Sequence, residues 1–108
     1  MICFVLTNDL MFQSQVAGAA AAAGLDCKQV GRPELIDTNE QHIVVVDLTM
    51  PGWNADALEA SSLRKRIAVG PHVHEAKLTA ASEAGYDHVI TKGQASRELG
   101  ELLLRSIG

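Results

Sequence analysis

The sequence predicts an α/β fold, a three-layer doubly wound arrangement in which helices cover both faces of a parallel five-stranded sheet. Short apolar segments alternate with helix-favouring segments five times, and only a few residues connect them. This alternation is typical of parallel sheets with right-handed crossovers. With 47% hydrophobic and only 4% aromatic residues, the core must be aliphatic, as expected for a sheet covered by helices.

Length and charge restrict the class of protein. A chain of 108 residues is long enough for one core and too short for two, so residues 1–108 are expected to form a single domain. The net charge of −4 and the absence of a long Lys/Arg run argue against a nucleic-acid partner. No signal sequence or apolar span is present, which favours a cytoplasmic protein without membrane contact. Cys3 and Cys27 lack metal-ligand spacing and are expected to be buried and reduced.

The first half of the chain contains two predicted strands and an intervening helix. Asn8 or Asp9 is placed to cap this helix, and Gly24 is placed to end it. The more polar second strand is expected near a sheet edge. The predicted elements are a strand over residues 2–6, a helix over 10–23, a strand over 25–30 and a short helix opened by Pro33.

The second half contains three predicted strands, each followed by a helix. Arg64, Lys65 and Arg66 are expected to close the first of these helices, because cations stabilise helix C-termini. A leucine-rich stripe in the last helix indicates core packing, with a dimer face as the minor alternative. The predicted elements are strands over residues 43–46, 67–69 and 88–91, and helices over 55–65, 74–84 and 96–107.

Asp47 follows the most apolar segment of the chain and marks the expected site. Four β-branched residues in succession indicate a strand buried on both faces, in the middle of the sheet. The carboxyl end of such a strand faces the ligand crevice of an open α/β sheet. Asp47 is therefore expected at the mouth of the crevice.

The polar residues at three strand ends together resemble the receiver domain of bacterial response regulators, the CheY-like family. The resemblance spans residues 2 to about 104 and implies a flavodoxin-like sheet of order 2-1-3-4-5 and a role in two-component phosphorelay signalling. The residues that carry it are Asn8-Asp9 after strand one, Asp47-Leu48-Thr49-Met50-Pro51 after strand three, and Lys92 after strand five.

The resemblance also implies roles for these residues. Asp47 is the candidate phosphoacceptor for a histidine kinase, and Lys92 would contact the phosphoryl oxygens. Mg²⁺ would be held by the carboxylates of Asp9 and Asp47 and by the backbone carbonyl of Thr49, with Asn8 contacting the ion through water.

The sequence departs from the family pattern in ways that weaken this chemistry. Asn8 replaces one acid of the pair after strand one, which lowers the expected Mg²⁺ affinity. The Ser or Thr at the end of strand four falls on Gly70, which has no hydroxyl, and the next residue, Pro71, has no N–H. The aromatic switch position falls on Val89. Gly93 replaces the proline after the lysine, so no cis bond is expected there and the loop should be looser.

Several of these residues also have simpler interpretations. Asp47 is equally readable as a polar strand end, Lys92 as its structural ion-pair partner, and Asp9 as a helix cap. His72 and His74, with Glu75, are more typical of a solvated surface pair than of a metal site. The only tryptophan, Trp53, either covers the core or anchors a partner.

The resulting prediction is a stand-alone pseudo-receiver without enzyme activity, which signals through protein contacts and is phosphorylated weakly or not at all at Asp47. Its expected partner is a histidine kinase or another signalling protein, and a homodimer is the further alternative. Two other functions stay open. One is a working Mg²⁺-dependent phosphoacceptor, and the other is a flavodoxin-like module that binds a small ligand or metal, although no Gly-rich phosphate loop follows strand one.

Overall fold

The computed structural model describes residues 1–36, 41–51, 53, 58 and 63–107, and its strands form one parallel sheet of order β2-β1-β3-β4-β5. The predicted doubly wound, flavodoxin-like fold is confirmed. The elements are β1 (Ile2–Leu6), α1 (Leu10–Ala22), β2 (Asp26–Val30), a short 3-10 helix (Pro33–Leu35), β3 (His42–Asp47), β4 (Leu63–Gly70), α2 (Glu75–Glu83), β5 (His88–Thr91) and α3 (Lys92–Ile107).

Two core layers lie on opposite faces of the sheet. All six residues of β3 are buried, and their side chains alternate between the layers, as expected for a central strand. Ile43 and Val45 pack with residues of α1 and α3. Val44 and Val46 pack with Ala81 of α2 on the other face. The leucine-rich stripe of α3 belongs to the described core, as the sequence indicates: Leu99, Leu102 and Leu103 are buried.

The structure confirms the predicted residues at the helix ends. The Asp9 side chain caps α1 by accepting hydrogen bonds from the backbone N–H groups of Met11 and Phe12. Gly24 and Gly85 follow α1 and α2 with φ of 77° and 83°, a left-handed conformation that glycine adopts without a steric penalty.

The predicted helix over residues 55–65 is wrong at its C-terminal end, because β4 begins at Leu63. Residues 55–57 and 59–62 lie outside the described part of the chain. Arg64 donates hydrogen bonds to the carbonyls of Ser106 and Ile107, and Lys65 lies 3.8 Å from Asp87. The two cations therefore extend a strand and find partners on neighbouring elements. Arg64 does complement a helix C-terminus, but the helix is α3.

The last helix begins at Lys92, four residues before the predicted start at Ser96. Thr91 and Gln94 form a reciprocal pair: the Thr91 hydroxyl accepts from the Gln94 N–H, and the Gln94 side chain accepts from the Thr91 N–H. This capping box starts the helix earlier. Gly93 consequently lies in the first helical turn, and the looser loop expected there is absent.

Other described features concern the core and the thiols. Trp53 packs edge-on against Tyr86, with ring centroids 6.4 Å apart, so it covers the core on the α2 face. Cys3 is buried, as expected, whereas Cys27 is only half-buried. Within the described ranges, no helix has the length and apolar character that crossing a membrane requires.

Candidate functional site

The carboxyl edge of the sheet brings Asp47 together with two threonines. Thr7 directly follows β1, and Asp47 is the last residue of the adjacent β3. The Thr7 hydroxyl donates a 2.6 Å hydrogen bond to Asp47 Oδ2. The hydroxyl and backbone N–H of Thr49 donate to Asp47 Oδ1 at 2.6 and 2.9 Å. Both carboxylate oxygens therefore accept strong hydrogen bonds from the protein.

Asp47 is 1% exposed, yet its surroundings favour the charged form. Burial raises the pKa of Asp47, but the hydrogen bonds from Thr49 and Thr7 and the positive charge of Lys92 outweigh burial and lower the pKa overall. The Lys92 ammonium lies 5.3 Å from the centroid of the Phe12 ring. Asp47 is consequently ionised at neutral pH, with the α3 cation nearby.

Asp9 performs the capping role that the sequence left open. Its Oδ1 accepts from two backbone N–H groups of α1, and its own N–H donates to the Thr7 hydroxyl at 3.0 Å. Asn8 is exposed. The ligand roles of Asp9 and Asn8 toward Mg²⁺ stay predictions.

Thr7 is a site residue that was not predicted from the sequence. It is fully buried, and it is the residue after β1 that contacts Asp47. The side chain facing Asp47 from β1 is thus an uncharged hydroxyl, where the resemblance implied an acid. The available signal was its position as the first polar residue after the apolar segment.

The described residues contain no group of three or more His, Cys, Asp or Glu side chains arranged to hold a metal ion. The donor set that the resemblance implies for Mg²⁺ has only two such side chains, Asp9 and Asp47, and it stays a prediction. Mg²⁺ prefers near-octahedral oxygen coordination, and at Asp47 it would share the carboxylate oxygens with the hydrogen bonds from Thr7 and Thr49. His72 and His74 are exposed, as expected for a solvated pair.

The end of β4 presents no side-chain donor toward Asp47, because the last residue of the strand is Gly70. A Cβ atom on Gly70 would lie 3.1 Å from Leu48 Cβ and 3.2 Å from Leu48 Cδ1, and Leu48 is fully buried. A Ser or Thr side chain there would therefore crowd Leu48, which would have to shift by a few tenths of an ångström. Pro71 follows, without a backbone N–H.

A second lysine reaches the same edge from α2. Lys77 Nζ donates a 2.9 Å hydrogen bond to the carbonyl of Leu48, the residue between Asp47 and Thr49. This contact joins α2 to the segment that carries the candidate phosphoacceptor. Lys77 lies 29 residues from Leu48 in the chain, and no local pattern indicates the contact.

Comparisons with known proteins show which proteins share the fold of this chain. No family model matches the sequence, and no curated protein does. A response regulator from Thermotoga maritima superposes with a TM-score of 0.73 at 15% identity, over 98% of this chain and 96% of that one. A CheY-like protein (tadZ) from Pseudomonas aeruginosa PAO1 gives 0.72 at 23% identity, over 100% and 94%.

Full-length FixJ from B. japonicum gives a TM-score of 0.78 at 17% identity, covering 97% of this chain but 56% of FixJ. This chain thus spans little more than half the length of FixJ. The similarity to all three structures extends over nearly the whole of the present chain. The chain therefore has the fold of the CheY-like receiver domains of response regulators.

Proposed function

We propose that this chain is a receiver-like signalling domain of the two-component type, which acts through protein contacts and is phosphorylated weakly or not at all at Asp47. The receiver fold supports the signalling role. The main support for weak or absent phosphorylation is the network in which Thr7 and Thr49 donate hydrogen bonds to both oxygens of Asp47.

This network opposes phosphoryl transfer to Asp47. The attacking carboxylate oxygen must be aligned with the phosphorus atom, and the charge on the phosphoryl oxygens must be neutralised. Here the Thr7 and Thr49 hydroxyls lie 2.6 Å from the two oxygens. Each hydrogen bond to a charged group contributes about 1.5–3 kcal/mol, so these bonds stabilise the free carboxylate and make its oxygens weaker nucleophiles. Thr7 also supplies no negative charge for a metal.

The end of β4 opposes the usual readout. In the family that the chain resembles, a hydroxyl follows the phosphoryl oxygen and starts the conformational change. Leu48 packs against Gly70 in that space, and Pro71 removes a further donor. A phosphoryl group on Asp47 would therefore make nearly the same contacts in the inactive and active conformations of the domain. A group that interacts equally with both conformations does not change their populations.

Exposed apolar side chains near the site support a role in protein contacts. Leu10 and Met11, in the first turn of α1, are 78% and 84% exposed. Val73, in the loop after β4, is 69% exposed. Adjacent exposed apolar side chains such as Leu10 and Met11 can contribute to a contact with another protein. The proposed partner is a histidine kinase or another signalling protein, and no enzyme activity is assigned to the chain.

A working Mg²⁺-dependent phosphoacceptor is the second candidate. The lowered pKa of Asp47 favours it, because an ionised carboxylate is the nucleophilic form. The positive charge of Lys92 acts in the same direction.

Acetyl phosphate and beryllium fluoride, each with Mg²⁺, separate the two candidates. The protein and its Asp47→Asn variant are followed by intact mass and by backbone amide NMR. We expect no phosphoryl adduct and no shifts at Thr7, Thr49 or Lys92 under conditions that label an active receiver domain. A stoichiometric adduct that Asp47→Asn abolishes would overturn the proposal in favour of the phosphoacceptor.

The Thr7→Asp variant tests whether the uncharged side chain of Thr7 weakens Mg²⁺ binding at the site. It places an acid beside Asp47 and is expected to strengthen Mg²⁺ binding, seen as amide shifts in a titration. Thr79→Asp, on the exposed surface of α2, adds the same charge elsewhere and should leave the site unchanged.

A further inference from the structure

The two cysteines of the chain face each other across the edge of the sheet. Cys3 on β1 and Cys27 on β2 are register partners of the parallel pair. Both side chains pack on the face covered by α1 and α3. Neighbouring strands lie about 4.8 Å apart, and disulfides join Cα atoms about 4.4–6.8 Å apart. The expected Cα separation of the pair therefore lies within the range of disulfides.

The two thiols differ in exposure and in pKa. Cys3 is 0% exposed, whereas Cys27 lies half-buried on the edge strand. The hydrogen bond from Cys3 lowers the pKa of Cys27 and, together with burial, raises the pKa of Cys3. Cys27 is thus the thiol that ionises first and that solvent reaches.

We propose that Cys3 and Cys27 are a redox-active thiol pair that closes to an intramolecular disulfide when a hydroperoxide oxidises Cys27. The register across β1 and β2, the shared face and the unequal exposure carry this assignment. It does not depend on the proposed function of Asp47.

The chemistry proceeds in two steps. The Cys27 thiolate attacks the peroxide, the O–O bond breaks, and a sulfenic acid forms with hydroxide as the leaving group. The Cys3 sulfur then attacks the Cys27 sulfur, the S–O bond breaks, and the Cys3 proton leaves with the hydroxide as water. Overall, two thiols and one hydrogen peroxide give one disulfide and two water molecules. The bridge encloses α1 and joins the edge strand to its neighbour.

Titration of the reduced protein with hydrogen peroxide tests the pair. After treatment, iodoacetamide counts the remaining thiols, and peptide mapping with the protease Asp-N, which cuts before Asp9 and Asp26 and so separates the two cysteines, identifies linked peptides. We expect both thiols to be lost together, a peptide linked through Cys3 and Cys27 to appear, and dithiothreitol to restore both thiols. Sulfinic acid on Cys27 without a linked peptide, or only disulfides between two copies, would overturn the proposal.

Single variants assign the two roles. In Cys3→Ser, dimedone should trap Cys27 as a sulfenic acid, because no resolving thiol is present. In Cys27→Ser, alkylation of Cys3 should be about tenfold slower or more, since a buried thiol is inert. Cys3→Ala, checked by circular dichroism, replaces Cys3→Ser if serine disturbs the core. Dimedone adducts equally abundant in wild type and Cys3→Ser would contradict the role of Cys3.

Discussion

The carboxyl ends of β3 and β4 lie side by side and are built in opposite ways. β3 ends on Asp47, a buried charge whose two oxygens accept hydrogen bonds from Thr7 and Thr49. β4 ends on Gly70, where the buried side chain of Leu48 fills the available space. One strand end is held by polar contacts and the other by apolar packing.

The difference indicates which parts of a phosphorylation switch the site contains. An ionised carboxylate and a nearby cation are present at the β3 end. The β4 end lacks the hydroxyl and the backbone donor that would respond to a new charge. Because packed side chains have no hydrogen bond to exchange, the β4 end is expected to stay the same whatever the charge on Asp47.

The largest effect is expected at the packed strand end. Leu48→Ala should lower the free energy of unfolding by about 2–5 kcal/mol, because it leaves a cavity in the core. Gly70→Thr should lower it by about 1–3 kcal/mol through overpacking against Leu48. In the Leu48→Ala background, Gly70→Thr should cost less, since the added methyl and hydroxyl groups occupy the cavity. Urea unfolding of the four proteins measures this coupling.

Gly18→Ala is the matched control for the glycine change. Gly18 lies in α1, and an added Cβ would meet no atom within 4 Å. The substitution should raise stability by about 0.5–1 kcal/mol, because alanine favours the helix. If Gly70→Thr were as stabilising as Gly18→Ala, the packing interpretation of the β4 end would be wrong.

Thr7→Val should produce the next largest effect, at the polar strand end. Valine keeps the shape of threonine but removes the hydroxyl that donates to Asp47 and accepts from the Asp9 N–H. We expect a loss of about 1.5–3 kcal/mol in urea unfolding, the range for a hydrogen bond to a charged group. Thr79→Val, on the exposed face of α2, should change stability by less than about 0.5 kcal/mol. Equal losses in both variants would remove the special role of Thr7.

The free energy of unfolding should depend on pH through the ionisation of Asp47. Because the pKa of Asp47 is lowered on folding, its contribution is fully present above its ordinary value of about 3.9 and is lost as the pH falls below that value toward the folded pKa. The stability advantage of wild type over Asp47→Asn should therefore shrink as the pH falls below about 4. Asp26→Asn, at an exposed position of β2, serves as the control. A constant difference between wild type and Asp47→Asn down to pH 2.5 would contradict this role for the charge.

The smallest effect is expected for Lys92→Gln. The charge of Lys92 contributes less to the lowered pKa of Asp47 than do the threonine hydrogen bonds. NMR titration of the Asp47 carboxyl carbon should show a rise in pKa that is smaller than in Thr7→Val. Stability should change by less than about 1 kcal/mol. Lys28→Gln, on the edge strand β2, should leave the Asp47 titration unaltered. A larger pKa rise in Lys92→Gln than in Thr7→Val would reverse the ranking of these two contacts.

Much of the architecture was predictable because its signals are local. The apolar segment before Asp47, the Asp9 cap and the glycines after α1 and α2 each act over a few neighbouring residues. The end of α3 nearest the site was also readable locally, through the capping box of Thr91 and Gln94, which the prediction overlooked.

The start of β4 was not predictable in the same way. Arg64 and Lys65 favour a helix end when only their neighbours in the chain are considered. Their partners, the C-terminus of α3 and Asp87, lie far along the sequence. Contacts formed only in the folded state outweighed the local preference.

By itself, the sequence determined the order of strands and helices and placed Asp47 at the carboxyl edge of a central strand. Only the tertiary structure decided what surrounds that carboxylate. Thr7 reaches Asp47 across 40 residues of chain, and Leu48 meets Gly70 because β3 and β4 are paired. Side-chain periodicity is a local property, whereas contacts between strands depend on register and packing across the whole sheet.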